Sequence, residues 1–399
     1  MLSISEAFDR ILGTVAPLEP ISLPLSEVLG MSLAEDIAAI DDSPPFDKSL
    51  MDGYAVRAAD IASGIASLTV IEVVTAGRVP TKTLSPGEAV QVMTGAPLPE
   101  GADMVVKVEE TIQDGPLVRL TTKSVNAGTN IIRRGTSVRA RDVVLKSGMK
   151  LNGSRIGAIA ELGGAVVSVH RRPLVAVLAT GDELIPIGES LAPGQIRNSN
   201  QSMLVAQIQA AGAIAVPLGI ARDNRADLGA KIKKGLECDM LVLSGGVSAG
   251  TLDLVPSELA AAGVREIFHH VELKPGKPIW FGVRDTPMCS VFGLPGNPVS
   301  SLVCCELFVR TAIRRMMGEP NVLPQTIPAK LEQNYLARAD RPTYHPAKLT
   351  WSTEGPTVKL VPWHGSSDLC GTVASNAMVV LSGQAREYPA GELVDTISW

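Results

Sequence analysis

Three short glycine loops hold the residues of this chain best suited to chemistry: Gly181-Asp182-Glu183, Gly245-Gly246 running on to Asp253, and Gly293-Leu294-Pro295-Gly296-Asn297-Pro298. Glycine lets backbone N–H groups come close to an anion, and a helix start behind such a loop adds a favourable dipole. Asp182, Glu183, Asp223 and Asp253 supply carboxylate oxygens. An acidic edge can face a polyanionic ligand mainly with a cation between them, and Mg²⁺ is the hard cation that oxygen ligands and phosphates hold together. Lys274-Pro275-Gly276-Lys277-Pro278 places two cations on a proline-stiffened turn, which suits an anionic ligand; a solvated basic turn is the plain alternative. Taken singly, each glycine loop also reads as an ordinary turn. No G-x-G-x-x-G follows the first strand and no G-x-x-x-x-G-K-[ST] occurs, so dinucleotide and simple NTPase readings lose their main support.

A single site needs elements that bring these loops to one edge. Between Pro173 and Gly318 the pattern alternates: a strand LVAVLAT ending at Gly181, a helix with Met203, Leu204, Gln207, Ile208 and Ala211 stopping at Gly212, and a strand Ile214 to Leu218. A helix around Leu228 to Leu236, the strand Met240 to Ser244 and a helix Ser257 to Ala262 follow. An extended stretch near Val264 to Leu273, the strand IWFGV and a strand Met288 to Phe292 then lead into a helix from Val299. Such alternation predicts parallel strands with helices on both faces, and ligands then bind beyond the carboxyl ends of the strands.

The flanks differ in texture. Residues 39–140 hold short alternating runs, VIEVV, AVQVM, DMVVKV and LVRL, separated by turn signals, and read as mostly β. From about Leu323 the runs TIPAKL, TVKLVPW, AMVVLSG and ELVDTI predict a small all-β domain, a barrel. At the N-terminus Ile4, Ala7, Phe8, Ile11 and Leu12 recur at helical spacing behind a Ser3/Glu6 capping box, so the segment reads as a helix and not as a leader.

Composition sets the outer bounds. With 399 residues and 45% hydrophobic content the chain is long enough for two to four domains. Thirty-six basic against 41 acidic residues give a net charge of −5 without long blocks of either sign, which predicts neither a nucleic-acid nor a membrane partner. The longest uncharged run, Asn198 to Ala221, is interrupted by amides, Gly212 and Pro217, and fits a helix and a strand better than a span. Five cysteines without C-x-x-C spacing argue against a disulfide framework and for a reducing, cytoplasmic setting.

Two further segments are unusually specific for loops. Ser43-Pro44-Pro45-Phe46-Asp47 leads to Ser49-Leu50-Met51-Asp52-Gly53-Tyr54-Ala55-Val56, and Met93-Thr94-Gly95-Ala96-Pro97 leads to Gly101-Ala102-Asp103. Each sets a polar side chain, Asp52 or Thr94, beside a glycine; both also read as corners of a β domain. With PPFDKSLMDGYAVRA, MTGAPLPEGAD, TGDEL, SGGVSAGTLD, KPGKP and GLPGNPVSS in this order, the chain resembles the molybdopterin molybdenumtransferase family, that is, bacterial MoeA and the gephyrin E domain.

The resemblance covers nearly the whole chain, and its implications are specific. It implies insertion of molybdate into the dithiolene of adenylylated molybdopterin with Mg²⁺-dependent release of AMP. Catalytic residues would be Asp52, Thr94, Glu183, Asp223, Asp253, Lys274, Lys277 and Ser366, with Asp52, Glu183 and Asp253 as metal ligands. Gly245, Gly246, Ser248, Gly250, Pro295, Gly296, Asn297 and Pro298 would line the molybdopterin site. The implied fold is multidomain α/β plus β: a three-layer molybdopterin-binding α/β domain from 1–18 and 172–320, a linker domain from 19–38 and 141–171, a mostly-β domain 39–140 carrying MDGYA and MTGAP, and a small C-terminal β-barrel, 321–399. A homodimer with a site shared between subunits is implied too, with molybdopterin adenylyltransferase as a further partner.

One position departs from the family pattern. Where an aspartate usually follows the arginine pair, this chain reads Arg133-Arg134-Gly135-Thr136-Ser137, and Asp142 lies five residues on. The departure keeps two rivals in view: a paralogue with altered catalysis and a non-catalytic molybdopterin-binding scaffold. Other proteins with the α/β module alone lack MDGYA and MTGAP.

Overall fold

The computed structural model describes residues 1–62, 66–122, 125–247, 254–338 and 340–399; Ser248, Gly250 and Asp253 lie outside them. The chain divides into two compact units. One comprises Met1–Ala34, Gly148–Asn152 and Val167–Trp399, the other Glu35–Ser147 and Gly153–Val166. Among the described residues no helix is long and apolar enough to cross a membrane.

The first unit is built on a six-stranded sheet in the order Ile214–Ala221, Leu174–Thr180, Met240–Ser244, Met288–Leu294, Trp280–Asp285, Arg265–His269. Period-2 alternation distributes its side chains to two cores. Val175, Val177, Met240, Val242, Phe292 and Leu294 face one side and pack with Leu204, Ile208 and Phe308, while Ala176, Leu178, Leu241, Leu243 and Val291 pack with Leu228, Ile232, Val255 and Leu259 on the other. Helices therefore cover both faces, as expected. The N-terminal helix Ile4–Thr14 has the Ser3/Glu6 capping box and buries Ala7 and Ile11 in the first of these cores.

The sheet corrects the expectation of parallel strands throughout. Ile214–Ala221, Leu174–Thr180, Met240–Ser244 and Met288–Leu294 are parallel, but Trp280–Asp285 pairs antiparallel with Met288–Leu294, and Arg265–His269 antiparallel with Trp280–Asp285. Only Thr286 and Pro287 join Asp285 to Met288, and a link that short cannot make the crossover that parallel strands need. The reversal bears directly on the site. Because Trp280–Asp285 runs against its neighbours, its first residues, and the Lys274–Pro278 turn before them, arrive at the edge where the parallel strands end.

The C-terminal part closes as a five-stranded barrel in the order Ile327–Leu331, Gly355–Leu360, Thr343–Ser352, Ala377–Leu381, Leu393–Ser398. Ala329, Leu331, Ala347, Leu349, Val358, Val379 and Leu381 fill it. Backbone bonds fasten it to the lysine turn: Lys274 N donates to Pro342 O at 2.9 Å and Tyr344 N to Lys274 O at 2.8 Å.

The second unit is mostly β, with a six-stranded sheet in the order Met104–Lys107, Gly53–Val56, Glu88–Val92, Ala66–Val74, Leu117–Leu120, Thr111–Asp114. Gly53 explains one part of the MDGYA segment. It pairs with Val92 on one side and Lys107 on the other, and a Cβ there would lie 2.0 Å from Val106 O, so only glycine lets the strands close.

Candidate active site

At the carboxyl edge of the parallel strands lies a cleft of about 740 Å³ lined by Thr180, Gly181, Glu183, Asp223, Ser244, Gly245, Gly246, Pro295, Gly296, Asn297 and Pro298, among others. The strand order explains its place. The chain leaves Leu174–Thr180 to one neighbour and later returns to Met240–Ser244 on the other side, so the loops after these two strands diverge and open a crevice between them.

Three of the lining glycines have a steric or conformational reason. Gly245 and Gly246 have φ of +96° and +64°; a Cβ at 245 would meet Thr180 O at 2.8 Å, and one at 246 would meet the Val255 side chain at 2.6 Å. At Gly181 a Cβ would run into the Glu183 carboxylate at 2.4 Å. The two acidic loops are laced together. Asp182 N donates to Asp223 Oδ2 at 3.2 Å, Asp223 N donates to Asp182 Oδ1 at 3.1 Å, and Arg222 Nη1 donates to the carbonyls of Asp182 and Leu184, both at 3.1 Å. Glu183 is exposed and its carboxylate has no partner among the described residues, which leaves it available to a cation or a ligand.

A second cleft, about 590 Å³, shares Pro278, Pro295 and Asn297 with the first and is lined by Lys274, Lys277, Ser300, Arg341, His345, Trp363 and Ser366. Its chemistry is that of an anion site. Neither lysine has a carboxylate partner among the described residues, and both are exposed. Arg341 Nε is buried, 3.3 Å from Asp340 Oδ1 without the alignment of a hydrogen bond, and the buried Trp363 Nε1 has no acceptor. Both donors are thus open to a bound water or anion. His345 adds no charge: burial chiefly, with a lesser push from Lys274, holds its pKa below the ordinary imidazole value, and its Nδ1 lies 2.9 Å from Pro346 O. Asn297 Nδ2 donates to Ser366 Oγ at 2.9 Å, and Val299 N to Ser366 O at 2.9 Å, so the loop between the clefts is tied to the barrel.

Asp52 and Thr94 belong to the other unit and are brought together there. The Gly53–Val92 register sets the two loops side by side, and Asp52 Oδ1 accepts from Thr94 N at 2.6 Å and from Thr94 Oγ1 at 2.8 Å. The Thr94 amide first, and its hydroxyl second, hold the Asp52 pKa below the usual carboxylate value. Nearby, Arg133 and Arg134 are paired with Asp47 and Asp42, each at 2.6 Å. Ser137 is exposed and is held by its backbone, N to Ser43 O at 2.9 Å; Asp142 accepts from Arg139 N at 3.0 Å and closes its own turn, so it does not replace the missing carboxylate.

Of the residues expected in a single site, Glu183, Asp223 and the described glycine-loop residues line one cleft, Lys274, Lys277 and Ser366 line its neighbour, and Asp52 and Thr94 lie in the other unit. Sequence reasoning missed Arg341, Trp363, Asn200, Asp42 and, as a lining residue, Thr180. Trp363 ends the run TVKLVPW, where a strand pattern gives no reason to single out its ring nitrogen. Among the described residues no group of three or more His, Cys, Asp or Glu side chains is spaced to hold a metal ion.

Comparison with known proteins agrees along the whole chain. Residues 2–163 match the MoeA N-terminal region (domain I and II), residues 176–315 a "Probable molybdopterin binding domain" and residues 328–399 the MoeA C-terminal region (domain IV). The chain is 35% identical over 401 residues to a molybdopterin molybdenumtransferase of Staphylococcus epidermidis and 36% identical over 406 residues to one of Staphylococcus aureus, in each case covering 99% of this chain and 95% of the relative. Its structure is similar to that of the molybdopterin biosynthesis moeA protein of Pyrococcus horikoshii, with a TM-score of 0.86 at 28% identity over 100% of both chains.

Proposed function

Since the chain belongs to the molybdopterin molybdenumtransferase (MoeA) family, and so acts in molybdenum cofactor biosynthesis, we propose that its two adjoining clefts hold the two reactants of molybdate insertion side by side. The glycine-loop cleft would take adenylylated molybdopterin and the lysine cleft molybdate. One observation carries this reading: the clefts share a wall, Pro278, Pro295 and Asn297, so ligands in them are neighbours.

The residues divide the work by charge. Gly245 and Gly246 leave room for a phosphate against the backbone, and Lys274, Lys277, Arg341 and the Trp363 ring nitrogen offer donors to a dianionic oxyanion. Ser366, held by Asn297, stands at the junction. Asp52, kept ionised by Thr94, is proposed as a further site residue, as are Ser248, Gly250 and Asp253 by resemblance alone.

The donor set at the glycine-loop cleft fits Mg²⁺. Glu183 and Asp223 are hard oxygen donors, Glu183 has no partner among the described residues, and this ion needs few protein ligands because it keeps much of its water and binds substrate phosphates. When bound, the ion supplies charge neutralisation and polarises the phosphate linkage. AMP release from adenylylated molybdopterin is therefore expected to require both molybdate and a divalent cation; full turnover in excess chelator would refute the metal assignment, and turnover without molybdate would refute the pairing of the two clefts. The family resemblance also leads us to expect a homodimer. Light scattering that shows an active monomer at micromolar concentration would overturn it.

A further inference from the structure

We propose that Asn200 is a positioning residue for molybdate insertion, a clamp that holds the Ser244–Gly246 loop and the Pro295–Pro298 loop in register. The proposal rests on the assignment of the two clefts given above.

Asn200 is the second residue of the helix Ser199–Ala210 and lines the glycine-loop cleft. Its Nδ2 has two protons, and both are used. One goes to Ser244 Oγ at 2.7 Å, at the end of the strand that leads into Gly245 and Gly246; the other goes to Gly296 O at 2.8 Å. The amide cannot be turned over, because its oxygen would then face the Gly296 carbonyl. In this orientation Oδ1 is left buried without a partner. The side chain is therefore set by the two loops it joins, through its nitrogen alone.

The base of the clamp is rigid. Asn198 caps the helix by accepting from Gln201 N, Leu204 and Ile208 are fully buried, and Gln207 Nε2 donates to Leu302 O at 3.1 Å and to Glu306 Oε1 at 2.9 Å. The two loops have few other ties to each other among the described residues. One backbone bond runs between them, Gly245 N to Leu294 O at 3.1 Å, and it sits at the strand ends; Pro295 O and Asn297 O are held within their own loop by Ser301, so the Asn200 proton is what joins Gly296 O to the Ser244 side. Gly296 adjoins Asn297, whose side chain reaches Ser366 in the lysine cleft. The second proton of Asn200 thus fixes the wall between the two reactants, and the first fixes the cradle on one side of it.

The test compares Asn200→Ala, Asn200→Asp, Ser244→Ala and the Asn200→Ala/Ser244→Ala pair. Asn200→Ala is expected to lower kcat/KM for adenylylated molybdopterin by roughly 10- to 100-fold, the scale of a small misplacement at a reacting centre. The KM for that substrate should rise while the KM for molybdate stays within about twofold, a split that a mere loss of folded enzyme does not give. Asn200→Asp keeps the volume but offers no proton to Gly296 O, and should be as defective. Ser244→Ala removes one arm and should lose less; added to Asn200→Ala it should lose nothing more, because the two act through one bond. Amide exchange at Gly245 should quicken in Asn200→Ala whether or not the enzyme is turning over. An inactive wild type would count against the cleft assignment, and the exchange measurement would still decide the clamp. Variants with unchanged KM for adenylylated molybdopterin, additive losses for the pair, or unchanged exchange at Gly245 would each overturn it.

Discussion

Replacing Lys274 and Lys277 together by alanine is expected to cut molybdate-dependent AMP release by about 10³-fold or more, scaled from the 10²–10³ lost with a single preorganised electrostatic group. Molybdate carries two negative charges, and the cleft assigned to it has no other mobile cation among the described lining residues except Arg341, whose Nε lies beside Asp340. The loss should appear mainly as a raised KM for molybdate. The scaffold should survive the change, because the turn is held by its backbone: Lys274 N to Pro342 O, Tyr344 N to Lys274 O and Val271 N to Lys277 O, at 2.9, 2.8 and 3.0 Å. Neither ammonium group takes part in these bonds. A second signal accompanies the first. Burial is the chief cause of the low His345 pKa and Lys274 a lesser one, so the double variant should raise that pKa, measured by NMR titration of the imidazole. A molybdate KM equal to that of wild type, with His345 shifted as expected, would show that the lysines are a solvated turn and that the oxyanion binds elsewhere.

Why the lysines were visible in the sequence while Arg341 and Trp363 were not is a matter of local signal. Lys274-Pro275-Gly276-Lys277-Pro278 announces itself by two prolines and a glycine around two charges; Arg341 and Trp363 reach the same cleft only through barrel closure, which depends on pairings such as Thr343 with Leu381 that no local pattern encodes. The strand Thr343–Ser352 itself was not read, because Pro346 sits in its middle and proline ordinarily argues against a paired strand. The parallel strands were legible for the opposite reason. Their runs are short and largely apolar, with a glycine close behind, which is how a strand buried on both faces reads. Asn200 illustrates a third case: an amide at a helix start is unremarkable in sequence, and only the meeting of two distant loops gives its Nδ2 two acceptors.

The same geometry makes Gly245→Ala the second large effect, with a predicted fall of about 10²-fold or more in kcat/KM for adenylylated molybdopterin. Two constraints act together at this position. The φ of +96° is a conformation that costs a residue with a Cβ about 1–3 kcal/mol, and the added carbon would stand 2.8 Å from Thr180 O and 2.9 Å from Thr180 Oγ1. Thr180 O belongs to the backbone of the last residue of a central strand that is paired with a neighbour on each side, Thr180 itself opposite Ala221, so it gives way less readily than the loop. Relief must come from the loop, which moves away from Thr180 and into the space assigned to the substrate phosphate. Gly245 N would also lose its bond to Leu294 O. The molybdate KM should change little, since the lysine turn is untouched. Gly188→Ala is the control: nothing lies within 4 Å of a Cβ there, so activity and thermal stability should match wild type. If Gly245→Ala turned over adenylylated molybdopterin as wild type does, the backbone at this strand end would not be cradling a ligand, and the assignment of the cleft to the nucleotide-linked substrate would fall with it.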